Sequence, residues 1–309
     1  MNAIDDADNI NDREIENCII CSSDCTRVVY WTKDMLYGIE GIYKIARCMR
    51  CKTEFITPYP SVEFLSSLYS VDNYYSFQQR KMGRLLREIR KRTRRLFPPP
   101  TSSITSICDV GCGDGEFLDF AQQAGFQTFG VEQDGQAQVL NSHTSHTILP
   151  SIHDHMRSFD YIRANHTLEH VHDIRDILLG MKMHLAPEGR ILIGVPNAQG
   201  FIAKLFGRYW FYRGAPIHTM GLNEESFQIL CCELDLEITE VVKRQTFRGT
   251  VGSIVIAMEN LLLGSSREPK TLTFLLLMPV VLVTIPLNWL LTQINKGDLL
   301  EVSIKHKYD

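Results

Sequence analysis

An α/β domain on a mainly parallel sheet, preceded by a small cysteine-rich module, is the architecture the sequence predicts. Three observations carry it. From Ile104 onward, short apolar runs alternate with segments of helical period. A glycine turn, Gly111-Cys112-Gly113-Asp114-Gly115, stands where the first apolar run gives way to the first helical segment. Two Cys-x-x-Cys pairs precede this alternation. With 309 residues the chain can bury a full core, and the prior of about 150 residues per domain suggests two units. Hydrophobic residues at 44% and charged residues at 22% exclude a disordered or collagenous chain. A net charge of −4 excludes nucleic-acid binding through bulk charge.

Residues 1–17 form a polar, acidic tail without the basic and apolar regions of a secretory signal. The expected compartment is the cytoplasm, where nine cysteines stay reduced and close pairs read as metal ligands or core residues. Residues 18–75 hold Cys18, Cys21, Cys48 and Cys51, a set that can place four thiolates around a structural Zn²⁺. The spacing between the pairs exceeds the compact template, so a metal-free ribbon stays open as the alternative. Residues 76–100 combine a basic helical run, Arg80 to Arg95, with a linker at Pro98-Pro99-Pro100. Its plain reading is a solvated basic face. Attraction to anionic lipid comes second, and nucleic acid third, because no stacking aromatics accompany the run.

Residues 101–264 carry the core. Ile107–Val110, Thr128–Glu132, Phe159–Ala164 and Arg190–Val195 are expected strands. Helices are expected over Glu116–Ala124 and in the stretch running to Leu185. The glycines after Val110 let a ligand approach the backbone, and the helix that follows offers free N–H groups. Glu132, ending the next strand, suits ribose hydroxyls. Gly111 and Gly113 match the first two positions of the dinucleotide fingerprint G-x-G-x-x-G, but Glu116 fills the third. A carboxylate there disfavours a pyrophosphate, hence NAD and an oxidoreductase, and tolerates a phosphate-free ligand such as S-adenosylmethionine.

Ile107 to Gly115 resembles the first motif of the class I S-adenosylmethionine-dependent methyltransferases. Further segments are similar in order: Asn165-His166-Thr167-Leu168-Glu169-His170-Val171, Leu185-Ala186-Pro187-Glu188-Gly189, and Val195-Pro196-Asn197. Pro216-Ile217-His218 resembles an element of a branch associated with glycan and secondary-metabolite pathways. That branch also carries an N-terminal zinc ribbon, a Pro-x-Pro-Ser segment (here Pro58-Tyr59-Pro60-Ser61) and a tyrosine pair (Tyr74-Tyr75). The chain departs from the pattern at Ile174, where Pro is frequent, at Asn223, and at Ser22 and Lys52, where the knuckles usually have Gly.

The resemblance implies a Rossmann-like sheet with helices on both faces, and S-adenosylmethionine held by Asp109, Gly111, Cys112, Gly113, Glu132 and Asn165. Asp109 would support the glycine loop and the methionine ammonium, and Glu132 the ribose. The adenine contact is expected near Ile152 to Asp154. It also implies a small-molecule, sugar or lipid-linked acceptor. If that acceptor is a hydroxyl, His218, His170 or His166 would take its proton, with His218 preferred for its place in a loop beyond the fifth strand. Glu169 and His170 also suit the start of a helix. A catalytically inactive scaffold on the same fold is the rival from another class.

Residues 265–296 break the soluble pattern, because Thr271 to Asn295 contains no charge. The length would cross a bilayer, but Pro279 and Pro286 interrupt it, and basic residues flank both ends. The expectation is an apolar helical hairpin with Val251 to Leu263 as its first arm. It would dock peripherally on, or sit monotopically in, the cytoplasmic face of a membrane. An apolar cap on the core or in a dimer interface is the alternative. Residues 297–309 alternate like a strand and are expected to complete the core sheet.

Overall fold

Eleven strands in two sheets make up the computed structural model over the residues it describes, 16–68, 106–132, 145–262 and 284–307. The cysteine-rich module contributes β1 (Thr26–Thr32), β2 (Tyr43–Cys48) and β3 (Glu54–Thr57), paired antiparallel in that order, followed by helix α1 (Val62–Leu68). The core then runs β4 (Ser106–Val110), α2 (Glu116–Gln123), β5 (Gln127–Val131), β6 (Thr147–Leu149), β7 (Phe159–Asn165), α3 (Ile174–Met183) and β8 (Leu185–Pro196). After α4 (Phe201–Phe206) come β9 (Met220–Gly221), α5 (Glu224–Glu233), β10 (Leu236–Arg244), α6 (Phe247–Leu262), α7 (284–293) and β11 (Leu299–His306).

The large sheet has the order β10-β11-β8-β7-β4-β5-β6. β4 to β8 are parallel, and β11 enters antiparallel between β8 and β10. The final segment therefore pairs with the core as its alternation requires. β4 is buried at every position, as expected of a central parallel strand covered on both faces. The direction of connection reverses at β4, between β5 and β7, which opens a crevice at the carboxyl ends of these strands.

Local sequence sets the helices. α2 follows Gly115, held at φ 76°, and buries Phe117, Leu118 and Ala121. α3 begins where the Asp173 side chain accepts from the Arg175 and Asp176 amides, and it buries Ile174, Leu178 and Met181. Ile174 thus sits at the first helical position, which is where the frequent Pro would fit. Glu169 and His170 do not open this helix, contrary to expectation, because they lie in a separate turn before Asp173. Leu185 to Gly189 is not a turn ahead of the fifth strand. It is the irregular start of β8, with the register slipping between Phe159 and Tyr161 on β7.

The module and the core share a sheet. β9, from the core, pairs with β3 through Glu54–Gly221 and Phe55–Met220. The expected first arm of the hairpin is α6, and it packs on the core. The Phe211 amide donates to Ser253 Oγ at 2.9 Å, and Thr250 bonds Asn288 of α7 at 2.6 Å. Among the described residues no helix is long and apolar enough to cross a membrane. The basic run and residues 265–283 lie outside the described residues.

One buried carboxylate ties the units together. Glu54 is 1% exposed and accepts from Arg47 of β2 at 2.5 Å, from Arg213 beyond α4, and from the Tyr30 hydroxyl at 3.3 Å. Burial opposes its charge, and the two guanidiniums overcome that and hold its pKa below the usual carboxylate range. Removing one member of a buried ion pair typically costs about 3–5 kcal/mol, because the partner charge is left stranded. Glu54→Ala should lose about that much stability in urea denaturation. Glu54→Leu combined with Arg213→Met should recover a large part of it.

Candidate functional site

The four module cysteines converge. Cys18, Cys21, Cys48 and Cys51 place their sulfurs within 4.8 Å of one another, with Cys18–Cys51 and Cys21–Cys48 both at 3.5 Å. Zinc–sulfur bonds of about 2.3 Å in a tetrahedron imply sulfur–sulfur edges of about 3.8 Å, so this arrangement is compatible with zinc. Backbone N–H groups turn toward the sulfurs, Ile20 to Cys18 at 3.4 Å and Arg50 to Cys48 at 3.3 Å. Ser22 and Lys52 adopt φ of 54° and 60°, so both turns keep the left-handed step without glycine. The cluster leans on the core: Arg175 donates to the Ile19 and Ile20 carbonyls, and Asn223 Nδ2 to the Cys51 carbonyl at 3.0 Å. Asn223 also caps α5, which accounts for an amide at this position.

A cavity of about 780 Å³ opens at the carboxyl ends of the parallel strands. One wall is the glycine turn. Gly111, Gly113 and Gly115 have φ of 74°, 57° and 76°. A Cβ on Gly111 would lie 2.4 Å from Thr167 Oγ1, which itself donates to the Val110 carbonyl at 3.0 Å. The Gly111 and Cys112 amides bond the Val131 carbonyl, and the Gly113 amide donates to Glu132 Oε2 at 2.7 Å. The loop and Glu132 are thus fixed to each other.

Asp109, Gly111, Cys112, Gly113, Glu132 and Asn165 all line this cavity. None of Ile152 to Asp154, the segment expected at the adenine, lines the cavity: Ile152 is fully buried in the core, and Pro150, just before them, reaches the cavity instead. Sequence reasoning missed Arg163, whose Nη1 lies 2.6 Å from Asp109 Oδ1, both side chains being buried. Its guanidinium stacks 4.0 Å from the Phe117 ring centroid. The available signal was a cationic residue at an inner position of β7, flanked by Ile162 and Ala164.

The opposite wall collects the three candidate histidines. His166 takes φ 54°, a strained value for a residue other than glycine, and stacks on Tyr212 with ring centroids 5.8 Å apart. Its Nδ1 donates to Glu169 Oε1 at 3.1 Å. His170 Nδ1 donates to the Ile217 carbonyl at 3.2 Å, and His218 Nδ1 to the Tyr212 carbonyl at 2.8 Å. The His170 and His218 rings meet edge to face at 4.6 Å. Burial pushes the pKa of His218 down to about 3 and that of His170 in the same direction. Burial opposes charge on Glu169, yet the His166 hydrogen bond helps hold it down to about 2. Thr219 fixes this turn by donating from its amide to the Glu169 carbonyl at 3.0 Å.

The chain matches the family model described as "Methyltransferase domain" over residues 78–241, more than half its length. No curated protein matches it by sequence. Among solved structures it resembles the Haloferax volcanii complex between the Trm112 activator and a methyltransferase. The TM-score is 0.50 at 14% identity, over 77% of this chain and 98% of that one. It also resembles an S-adenosylmethionine-dependent methyltransferase from Archaeoglobus fulgidus (TM-score 0.47, 18% identity, 75% of this chain and 99% of that one). A further neighbour is the mitomycin 7-O-methyltransferase MmcR (TM-score 0.48, 13% identity, 78% of this chain). The chain spans 60% of MmcR's length. At 14% identity the likeness to the Haloferax volcanii complex shows a shared fold alone. The strand order, the glycine turn and the family match together show that the chain belongs to the methyltransferase domain family, on the fold of the class I S-adenosylmethionine-dependent methyltransferases.

Proposed function

We propose that the protein transfers a methyl group from S-adenosylmethionine to a hydroxyl on a small-molecule, sugar or lipid-linked acceptor. The observation that carries this reading is that the glycine turn, Glu132 and the histidine wall open onto one cavity. Cavities of roughly 300–1,000 Å³ suit ligands of this class. The residues fit the cofactor: Glu132 and the glycine turn line the cavity together, a carboxylate beside closely approachable backbone that suits a ribose diol without phosphates, while Asp109, paired with Arg163, anchors the strand beneath the loop. The cofactor supplies a methyl activated by its sulfonium, and the protein's part is alignment and proton removal.

In the base role we place His166 ahead of His218. Its Nδ1 is committed to the buried Glu169, which leaves Nε2 as the proton-accepting nitrogen on a ring that is 37% exposed at the cavity. The carboxylate orients the ring. Calorimetry should detect binding of S-adenosylmethionine, and Glu132→Ala should weaken it by about 1.5–3 kcal/mol through lost ribose hydrogen bonds. Tight NAD binding without a response to S-adenosylmethionine would overturn the cofactor assignment.

Labelled-methyl transfer to a panel of hydroxylated acceptors should fall by about 10²–10⁴-fold in His166→Ala, with cofactor affinity unchanged. Near-normal turnover in that variant would remove His166 from the base role. Binding of the cofactor without transfer by the wild type to any acceptor would support the inactive scaffold instead.

The cysteine cluster is proposed to hold a structural Zn²⁺. Four thiolates leave no open position for catalysis. Elemental analysis should find one zinc per chain, lost in Cys48→Ser. Zinc content that is unaffected by this substitution would count against the site.

A further inference from the structure

We propose that Glu169, His170 and His218 form a second metal site, for a divalent first-row transition ion, on the wall of the cavity opposite the glycine turn. The three residues present one ligand atom each, all within 4.8 Å of one another. Metal bonds of about 2.1 Å place nitrogen and oxygen ligands roughly 3–3.5 Å apart, so the side chains need close only slightly on an ion.

Three features make this a prepared site and not a chance cluster. Both imidazoles direct Nδ1 to a backbone carbonyl, His170 to Ile217 and His218 to Tyr212. Such bonds fix the tautomer and present Nε2, the arrangement typical of ligating histidines. For His170 this puts Nε2 on the Glu169 side, 3.9 Å from Oε1. The second feature is Glu169 itself. Its side chain is 1% exposed, Oε1 is taken by His166, and Oε2 is buried with no hydrogen-bond partner. A buried carboxylate oxygen left unsatisfied is costly, and a cation would satisfy it. The third is Gly214, at φ 52°, where a Cβ would lie 2.8 Å from the His218 ring. The chain leaves room there for the imidazole in this position.

Two histidines and one carboxylate with open positions suit first-row divalent ions. His170 and His218 line the cavity, so the remaining positions would face it. An acceptor oxygen, from a hydroxyl or a carboxylate, could complete the coordination there. This role toward the acceptor rests on the methyl-transfer reading, whereas the ion binding does not.

The test uses Mn²⁺ on the full chain without S-adenosylmethionine, because a hard ion avoids the thiolate cluster. The electron paramagnetic resonance signal of free Mn²⁺ should fall to the extent of a single bound ion per chain. Spin-echo modulation of the bound ion should show directly coordinated imidazole nitrogen. Glu169→Gln and His218→Gln should each weaken binding more than tenfold, with circular dichroism reporting that the variants are folded. Mn²⁺ remaining free beside excess wild-type chain, or bound Mn²⁺ without nitrogen modulation, would overturn the proposal even if the variants failed to fold. Normal methyl transfer in a chain that binds no Mn²⁺ would refute the metal site and leave the methyltransferase reading standing.

Discussion

A carboxylate removed from water must be met by positive charge, and Glu54 meets this demand from two directions. Arg47 comes from its own small sheet, and Arg213 comes from the core, 159 positions along the chain. The second pairing has the larger consequence, because it holds the segment from Tyr212 to Asn223 against the cysteine module. One edge of that segment adds β9 to the module's sheet, and its end, Asn223, bonds the Cys51 carbonyl. Its other edge supplies the Ile217 and Tyr212 carbonyls that orient His170 and His218, and the Thr219 amide that fixes Glu169. Cysteine module and histidine wall are therefore positioned by the same stretch of backbone.

The cavity has two chemically different ends. At the glycine turn, Asp109 is neutralised by Arg163 within the core, so Glu132, Asp114 and Glu116 carry the acidic character of the cavity beside the loop. At the histidine wall a single buried carboxylate serves several imidazoles. The left-handed His166 shows that local backbone energy is given up there, of order 1–3 kcal/mol, to aim a ring. Strain of this kind persists only where surroundings over-determine the conformation. Here the Tyr212 ring, the Glu169 carboxylate and the Gly194 carbonyl do so.

The cysteine knuckles illustrate the same trade in a smaller setting. Ser22 and Lys52 occupy left-handed positions that cost roughly 1–2 kcal/mol each relative to glycine. N–H groups aimed at sulfur, and the contacts of both knuckles with the core, offset that cost. The departure from glycine changes the energy of the turns without changing their path.

By itself the sequence determined the local features whose physics is short-range. The alternation of strands and helices, the positive-φ glycines after β4, the acid ending the next strand and the two thiol pairs are all visible in consecutive residues. Each showed its place before any packing was known. The final strand was legible from its alternation, and β11 fills the slot between β8 and β10. What tertiary structure decided were pairings between distant residues. No local pattern links Asp109 to Arg163, Glu54 to Arg213, or His218 to His170. Nor does any show that Glu169 lies in a turn, since its acidity suits a helix start equally well. Burial made the difference: a charged or polar group enclosed in the fold must find a partner, and only the folded chain determines which one is within reach.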